Sequence, residues 1–378
     1  VHELLPEHRK VLPRVSVSPQ PEQAQPHQPR LRVACLPTGP DEYAAAVVRG
    51  LGEVADVLVL APEDWVERYR ADLDGRVELC PLPWPRHRDP RNIVLARRII
   101  ARLRGFAPDV VHFLGDSVLW LLLALPWLRR FPLVVTVHDV FYHPGDVQTR
   151  RVPMISIRRF RRAADALIVH GHGLRDALVS TGVRPSGGMH VVAHPILDRH
   201  ARLAGAEPRP APAPSALESS TDRAQRLLFF GRAMAYKGLA VLVEATEGLV
   251  ARHPSLRLVI AGAGPELDRL APILEQRAWV ELHRGYVPDA AVAGLFCASA
   301  AVILPYEEAS QSGVAAMAMA FARPVVASDV GELGELVRET GMGLLVPPGD
   351  ATALAAAIAR ILETPALRRE CAAAAAAA

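Results

Sequence analysis

The feature that most constrains this chain is a rhythm. Short apolar runs rich in Val, Leu and Ile alternate with amphipathic segments of helical period, and the pattern runs through twice. In the first pass, strands are predicted at 32–37, 55–61, 77–82, 110–114, 133–138, 166–170 and 190–193, with helical patterns such as 43–53, 92–104 and 173–180 between them. In the second, strands fall at 227–230, 256–261, 280–283, 301–304, 324–327 and 343–346, and helices at 239–252, 266–277, 290–298, 313–322, 333–339 and 351–363. Alternation of this kind builds an α/β fold, in which a parallel sheet is covered on both faces. Two successive units then leave a cleft between the carboxyl ends of their strands.

The punctuation sets the boundaries. Residues 1–30 are rich in Pro, Gln and His, lack periodicity and read as a disordered lead. The first unit is expected over 31–200 and the second over 225–366. A Pro/Ala-rich linker, 201–224, lies between them, and 367–378 is a tail ending in alanines. At 378 residues there is length for two cores. A net charge of +3 argues against a nucleic-acid partner. The four cysteines, Cys35, Cys80, Cys297 and Cys371, form no Cys-x-x-Cys pair, which favours a reducing compartment. No apolar run follows a basic start, and the apolar stretch 118–128 is too short to span a bilayer. The Leu-rich helix carrying Trp120 and Trp127 reads as core.

The chemistry concentrates in two segments. In the first, the strand ending at Phe230 runs into Gly231-Arg232-Ala233-Met234-Ala235-Tyr236-Lys237-Gly238 and a helix start. In the second, Pro305-Tyr306-Glu307-Glu308-Ala309-Ser310-Gln311-Ser312-Gly313-Val314 leads into an Ala/Met helix. Two cations and a carboxylate, each just after a parallel strand, suit a sugar attached to a diphosphate. Ser312, Gly313 and Val314 open the next helix, where free amides and a glycine let a phosphate approach. Ala261-Gly262-Ala263-Gly264-Pro265 is a strand-to-helix turn that lacks the third glycine of a dinucleotide fingerprint. In the first unit, the strand Val134-Val135-Thr136-Val137 ends in His138 and Asp139.

Together these segments resemble the retaining glycosyltransferases of family four (glycosyl transferases group 1), which have the GT-B fold of two Rossmann-like parallel-sheet domains facing a central cleft. The resemblance implies a nucleoside diphosphate sugar as donor and an acceptor hydroxyl, with no required cofactor or metal. It implies catalytic roles for His138, Arg232, Lys237 and Glu308. Gly231, Gly262, Tyr286, Val287, Ser312, Gly313 and Val314 would lie on the donor side, and Thr38, Gly39 and Asp139 on the acceptor side. Glu308 would be the first carboxylate of a Glu-x7-Glu pair, with Glu307 as a register alternative. The second position would be Ala316, so ribose recognition must come from elsewhere or be weaker, with Gln311 and Ser312 as candidates to compensate. Tyr286 could equally pack in the core.

The acceptor could be a sugar, a lipid-linked molecule or a small molecule. The segment Arg150–Arg162 interleaves arginines with Val152, Met154, Ile155, Ile157 and Phe160. It reads either as a helix on anionic lipid or as one whose apolar side faces the sheet. The expected location is cytoplasmic, with peripheral contact at the inner membrane face. The reduced glycine content of the 37–41 loop and Ala316 also motivate a competing reading, a non-catalytic partner subunit of the same fold. A pyridoxal-dependent phosphorylase is disfavoured, because Lys10 and Lys237 are the only lysines.

Overall fold

The computed structural model describes residues 30–73, 75–86, 89–116, 119, 121–141, 152–205 and 225–378. Almost all of the expected lead and most of the expected linker lie outside the described residues, as do Trp120, Arg150 and Arg151.

The first half contains strands β1 (Leu31–Leu36), β2 (Ala55–Pro62), β3 (Val77–Leu82), β4 (Val110–Phe113), β5 (Leu133–Thr136), β6 (Ala166–Val169) and β7 (Met189–Val191). Helices α1 (Asp41–Val54), α2 (Glu63–Tyr69), α3 (Asn92–Phe106), α4 (Leu121–Leu128), α5 (Met154–Ala163) and α6 (His172–Ser180) connect them, and α7 (Arg199–Leu203) follows. The second half contains β8 (Arg226–Phe230), β9 (Arg257–Gly262), β10 (Val280–Arg284), β11 (Ala301–Leu304), β12 (Val325–Ser328) and β13 (Gly343–Val346). Its helices are α8 (Leu239–Val250), α9 (Pro265–Leu274), α10 (Asp289–Cys297), α11 (Gly313–Ala320), α12 (Gly331–Thr340), α13 (Ala351–Glu363) and α14 (Pro365–Ala377).

Among the described residues the strands form two sheets, ordered β3-β2-β1-β4-β5-β6-β7 and β10-β9-β8-β11-β12-β13. Every pairing is parallel, for example Val33 opposite Val57 and Val302 opposite Val325. Parallel strands buried on both faces must be apolar throughout, and β11 and β12 are wholly buried. Separate apolar clusters cover the two faces of each sheet. In the second half, α8, α9 and α13 pack on one face, and α10, α11 and α12 on the other, joined by Ala375 of α14. The residues assigned to a tail therefore continue as helix, with Cys371 and Ala375 buried.

In each sheet the strand order reverses between the first strand and the fourth: β1 beside β4, and β8 beside β11. Loops leaving such a reversal diverge and open a crevice at the carboxyl ends. The loops concerned are 37–40 and 114–116 in the first half, and 231–237 and 305–312 in the second.

The helix read either as lipid-facing or as packed on the sheet is more divided than its sequence suggests. On α5, Ile157 and Phe160 face the interior, and so does Arg161, while Arg158, Arg159, Arg162 and Ile155 are exposed. Arg161 is 2% exposed. Its Nε donates to Asp116 Oδ2 at 2.6 Å, Nη1 to the Val140 carbonyl at 3.1 Å and Nη2 to the Asp139 carbonyl at 2.6 Å. A buried guanidinium survives only when paired and hydrogen-bonded in this way. Trp127, expected in the core, is 47% exposed on α4 together with Leu123. No helix among the described residues is long and apolar enough to cross a membrane.

Candidate active site

A cleft of about 650 Å³ lies between the two halves, lined from both. From the second half come Gly231, Arg232, Tyr236, Lys237, Gly262, Tyr286, Val287, Tyr306 and the run 309–313. From the first come Asp41, Glu42, Tyr43, Arg68, His138, Asp139 and His194.

The cationic turn is built by close backbone packing. Gly231 N–H donates to the Ala261 carbonyl at 2.8 Å and Ala233 N–H to the Ala263 carbonyl at 2.9 Å, so the turns after β8 and β9 lie side by side. Gly238 has φ +66° and touches the Pro305 carbonyl where a Cβ would otherwise stand. Only glycine allows both the conformation and the approach. That approach brings Lys237 to Tyr306, whose hydroxyl accepts from Lys237 Nζ at 3.3 Å. The ammonium lies 4.9 Å from the Tyr306 ring centroid. Arg232 is exposed in the cleft. Ser312 caps α11, its Oγ accepting the Ala315 N–H at 3.2 Å, which leaves the first amides of α11 beside these cations.

Opposite, His138 and His194 line the cleft, and His112 and His170 lie beside them off its lining, together a wall of imidazoles. His138 packs edge-on to Tyr43 with centroids 4.5 Å apart, and His170 and His194 lie 5.0 and 5.3 Å from the same ring. His112 bonds Thr136 Oγ1 at 2.9 Å. His138 Nε2 faces the Leu114 carbonyl at 3.0 Å, His170 Nδ1 the Val192 carbonyl at 2.9 Å and His194 Nδ1 the Pro195 carbonyl at 2.8 Å. A carbonyl only accepts, so these nitrogens carry the proton. Burial holds the His138 imidazole below its usual value, against the opposing pull of the Leu114 carbonyl and Asp139. It pushes His112 and His194 down to about 4 and His170 to about 3. The wall is therefore neutral at pH 7.

Several expected site residues stand elsewhere. Glu308 is not on the cleft. Glu307 N–H donates to the Tyr236 carbonyl at 2.7 Å, which pins the chain there, and both glutamates are exposed. Glu308 lines a second hollow of about 380 Å³ with Phe141, Leu174 and Glu332. The chain returns along the cleft only from Ala309. Ala309 and Met317, eight apart, line it, whereas Ala316 is buried within α11. Both members of the expected carboxylate pair thus shift by one residue onto apolar side chains. Val314 is buried beneath Gly231 rather than exposed to the cleft.

Thr38 and Gly39 brace the first loop instead of lining the cleft. Thr38 Oγ1 donates to the Gly115 carbonyl at 2.6 Å, and Gly39 packs against His138 and the Leu114 carbonyl. Tyr286 is 71% exposed at the rim, its hydroxyl donating to Asp289 Oδ1 at 3.0 Å, so it is not a core residue. Tyr43, Tyr306 and His194 also line the cleft, though no motif in the sequence marks them. Position at a strand's carboxyl end was the available signal for the histidine.

Cations and helix amides on one side, with a neutral polar wall on the other, can hold an anionic group while leaving room for an uncharged one. Two parallel-sheet halves of this topology around such a cleft are the GT-B class of fold. The chain is similar to the glycosyl transferases group 1 family over its second half. That family's model matches residues 224–364, and a glycosyl transferase 4-like domain matches 38–195. A glycogen synthase of Mycobacterium tuberculosis is 28% identical over 270 residues, 70% of this chain and 62% of that protein. A D-inositol 3-phosphate glycosyltransferase of Saccharomonospora viridis is 30% identical over 290 residues, 71% of this chain and 66% of that protein. The match thus spans less than two thirds of these relatives' length. Among solved structures, Anabaena HepE in complex with UDP and glucose superposes with a TM-score of 0.64 at 18% identity, covering 92% of this chain and 94% of that one.

Proposed function

We propose that this chain is a retaining glycosyltransferase that moves a sugar from a nucleoside diphosphate sugar to an acceptor hydroxyl, in glycan, glycolipid or secondary-metabolite synthesis. The observation that carries this reading is the shared cleft face of Arg232, Lys237 and the α11 N-terminus, opposite His138. In this reading the two cations hold the diphosphate and stabilise the charge that grows on it as the glycosidic bond breaks. Ser312 orients the helix amides toward it. Gly262, Tyr286 and Val287 face the nucleoside. The reaction in this reading is front-face substitution, with the leaving diphosphate taking the acceptor's proton. His138 contacts the sugar as a neutral group rather than as a base.

The acceptor is a sugar, a lipid-linked molecule or a small molecule entering past Asp139 and the Tyr43 side. A lipid-linked acceptor fits the outer faces of α4 and α5, where Leu123, Trp127 and Ile155 are exposed alongside Arg158, Arg159 and Arg162. The location in this reading is cytoplasmic and peripheral to the inner membrane face.

A screen of UDP-, GDP-, ADP- and dTDP-sugars, scored by released nucleoside diphosphate, tests the proposal. Release that disappears in Arg232→Ala/Lys237→Ala supports it, and undiminished release in that variant refutes the site. The placement of Glu308 outside the cleft favours one second reading, a non-catalytic partner subunit. Absence of any melting shift with these nucleotides would select it.

A further inference from the structure

Among the described residues, polar contacts join the two halves across the cleft at its two ends and in its middle. Arg199 on α7 donates to Asp72 Oδ2 at 2.7 Å and to Asp289 Oδ2 at 2.6 Å. Asp72 lies just before β3 and Asp289 just after β10, the edge strands of their sheets. In the middle, Ser310 after β11 donates from Oγ to Asp139 after β5. At the other end, Glu332 at the start of α12 reaches α6, its Oε1 accepting the Leu174 N–H at 2.8 Å. This last contact follows β6 and β12, on the side of both sheets away from Asp72 and Asp289.

The receiving segment is shaped for that carboxylate. The N-cap position of α6 is Gly171, which has no side-chain oxygen to satisfy the first amides of its helix. Gly171 has φ −172°, extended backbone open to any residue, so its conformation does not demand glycine. Its surroundings do: a Cβ there would overlap the Glu332 carboxyl, and one on Gly173 would stand 2.9 Å from Glu332 Oε1. Glu332 itself is 9% exposed. The residue before Gly171 is His170, whose ring lies 5.6 Å from that of His138.

We propose that Glu332 is a positioning residue. Through the N-terminus of α6 it fastens the cleft shut at the end opposite the α7 crossover, and so sets the imidazole wall against the cationic turn. What closure accomplishes rests on the proposed glycosyltransferase reading; the fastening does not.

The test compares the wild type with Glu332→Ala, Gly171→Ala, the double variant and Glu332→Gln. Small-angle scattering reads the radius of gyration, and calorimetry reads the affinity for UDP. A Cβ at Gly171 displaces only the flexible end of Glu332, so both single variants should fold, open the cleft and raise the UDP Kd about tenfold, the worth of one charge-assisted bond. The double variant should be no worse than either single one, because both break the same contact. Glu332→Gln should retain the wild-type radius, since its side-chain carbonyl still accepts the Leu174 N–H. A wild-type radius in Glu332→Ala, or losses that add in the double variant, overturns the proposal. Should the wild type bind no nucleotide, the functional reading fails alone and the scattering still decides the fastening.

Discussion

The histidine wall makes a quantitative prediction about acid. In the folded chain His112 and His194 take up a proton only near pH 4 and His170 near pH 3, because burial disfavours their charged forms. In the unfolded chain each titrates near 6.5. Above that value neither state is protonated and these groups do not affect stability. As the pH falls below it, the unfolded chain gains protons that the folded chain refuses, so stability declines toward the folded values. At pH 5, keeping one imidazole neutral costs about 2 kcal/mol. Three of them cost about 6 kcal/mol, which is comparable with the whole stability of a typical domain, about 5–15 kcal/mol. Urea unfolding followed by tryptophan fluorescence at several pH values between 7.5 and 5 measures this directly. The expected result is a steep loss below pH 6.5. In His170→Phe/His194→Phe the slope near pH 5.5 should fall by about 1.4 kcal/mol per pH unit for each histidine removed. A flat profile in the wild type, or an unchanged slope in the double variant, refutes the argument.

Arg161→Met removes the buried ion pair with Asp116 and should lower stability by about 3–5 kcal/mol, read as a fall in melting temperature; an Arg161→Met/Asp116→Leu pair should recover much of it. Arg232→Ala or Lys237→Ala should each cut turnover by about 2.7–4 kcal/mol of activation free energy while leaving circular dichroism unchanged, measured as nucleoside diphosphate release. Glu308→Ala should leave turnover near wild type, because its side chain is outside the cleft; a loss of a hundredfold would show that it moves in. Gly238→Ala should reduce soluble yield, since its Cβ would run into the Pro305 carbonyl in a conformation L-residues avoid.

The strands were legible because burial on both faces leaves an unbroken apolar run bounded by turn residues, a signal needing no tertiary knowledge. Cleft-lining residues were legible where polar side chains closely follow a strand, as with Arg232 after β8 and His138 after β5. That legibility ends where one residue of register decides which side of a loop is presented. Glu308 is a carboxylate near the end of β11, but the bond from Glu307 N–H to the Tyr236 carbonyl moves the cleft-facing position to Ala309. The histidine wall was hidden for a different reason. His112, His138, His170 and His194 belong to or follow β4, β5, β6 and β7, and only the sheet order makes those strands neighbours. Arg161 sits in a run of arginines, and composition cannot distinguish the one that turns inward.

That inward arginine gives α5 two audiences. Its outer surface offers Ile155, Arg158, Arg159 and Arg162 to whatever lies outside, while a single guanidinium on its inner surface holds the main chain at Asp139 and Val140, immediately beyond His138. Force applied to the helix from outside would reach the loop beyond His138 directly through that side chain. In mechanical language, α5 is a pushrod whose short end rests against the cleft.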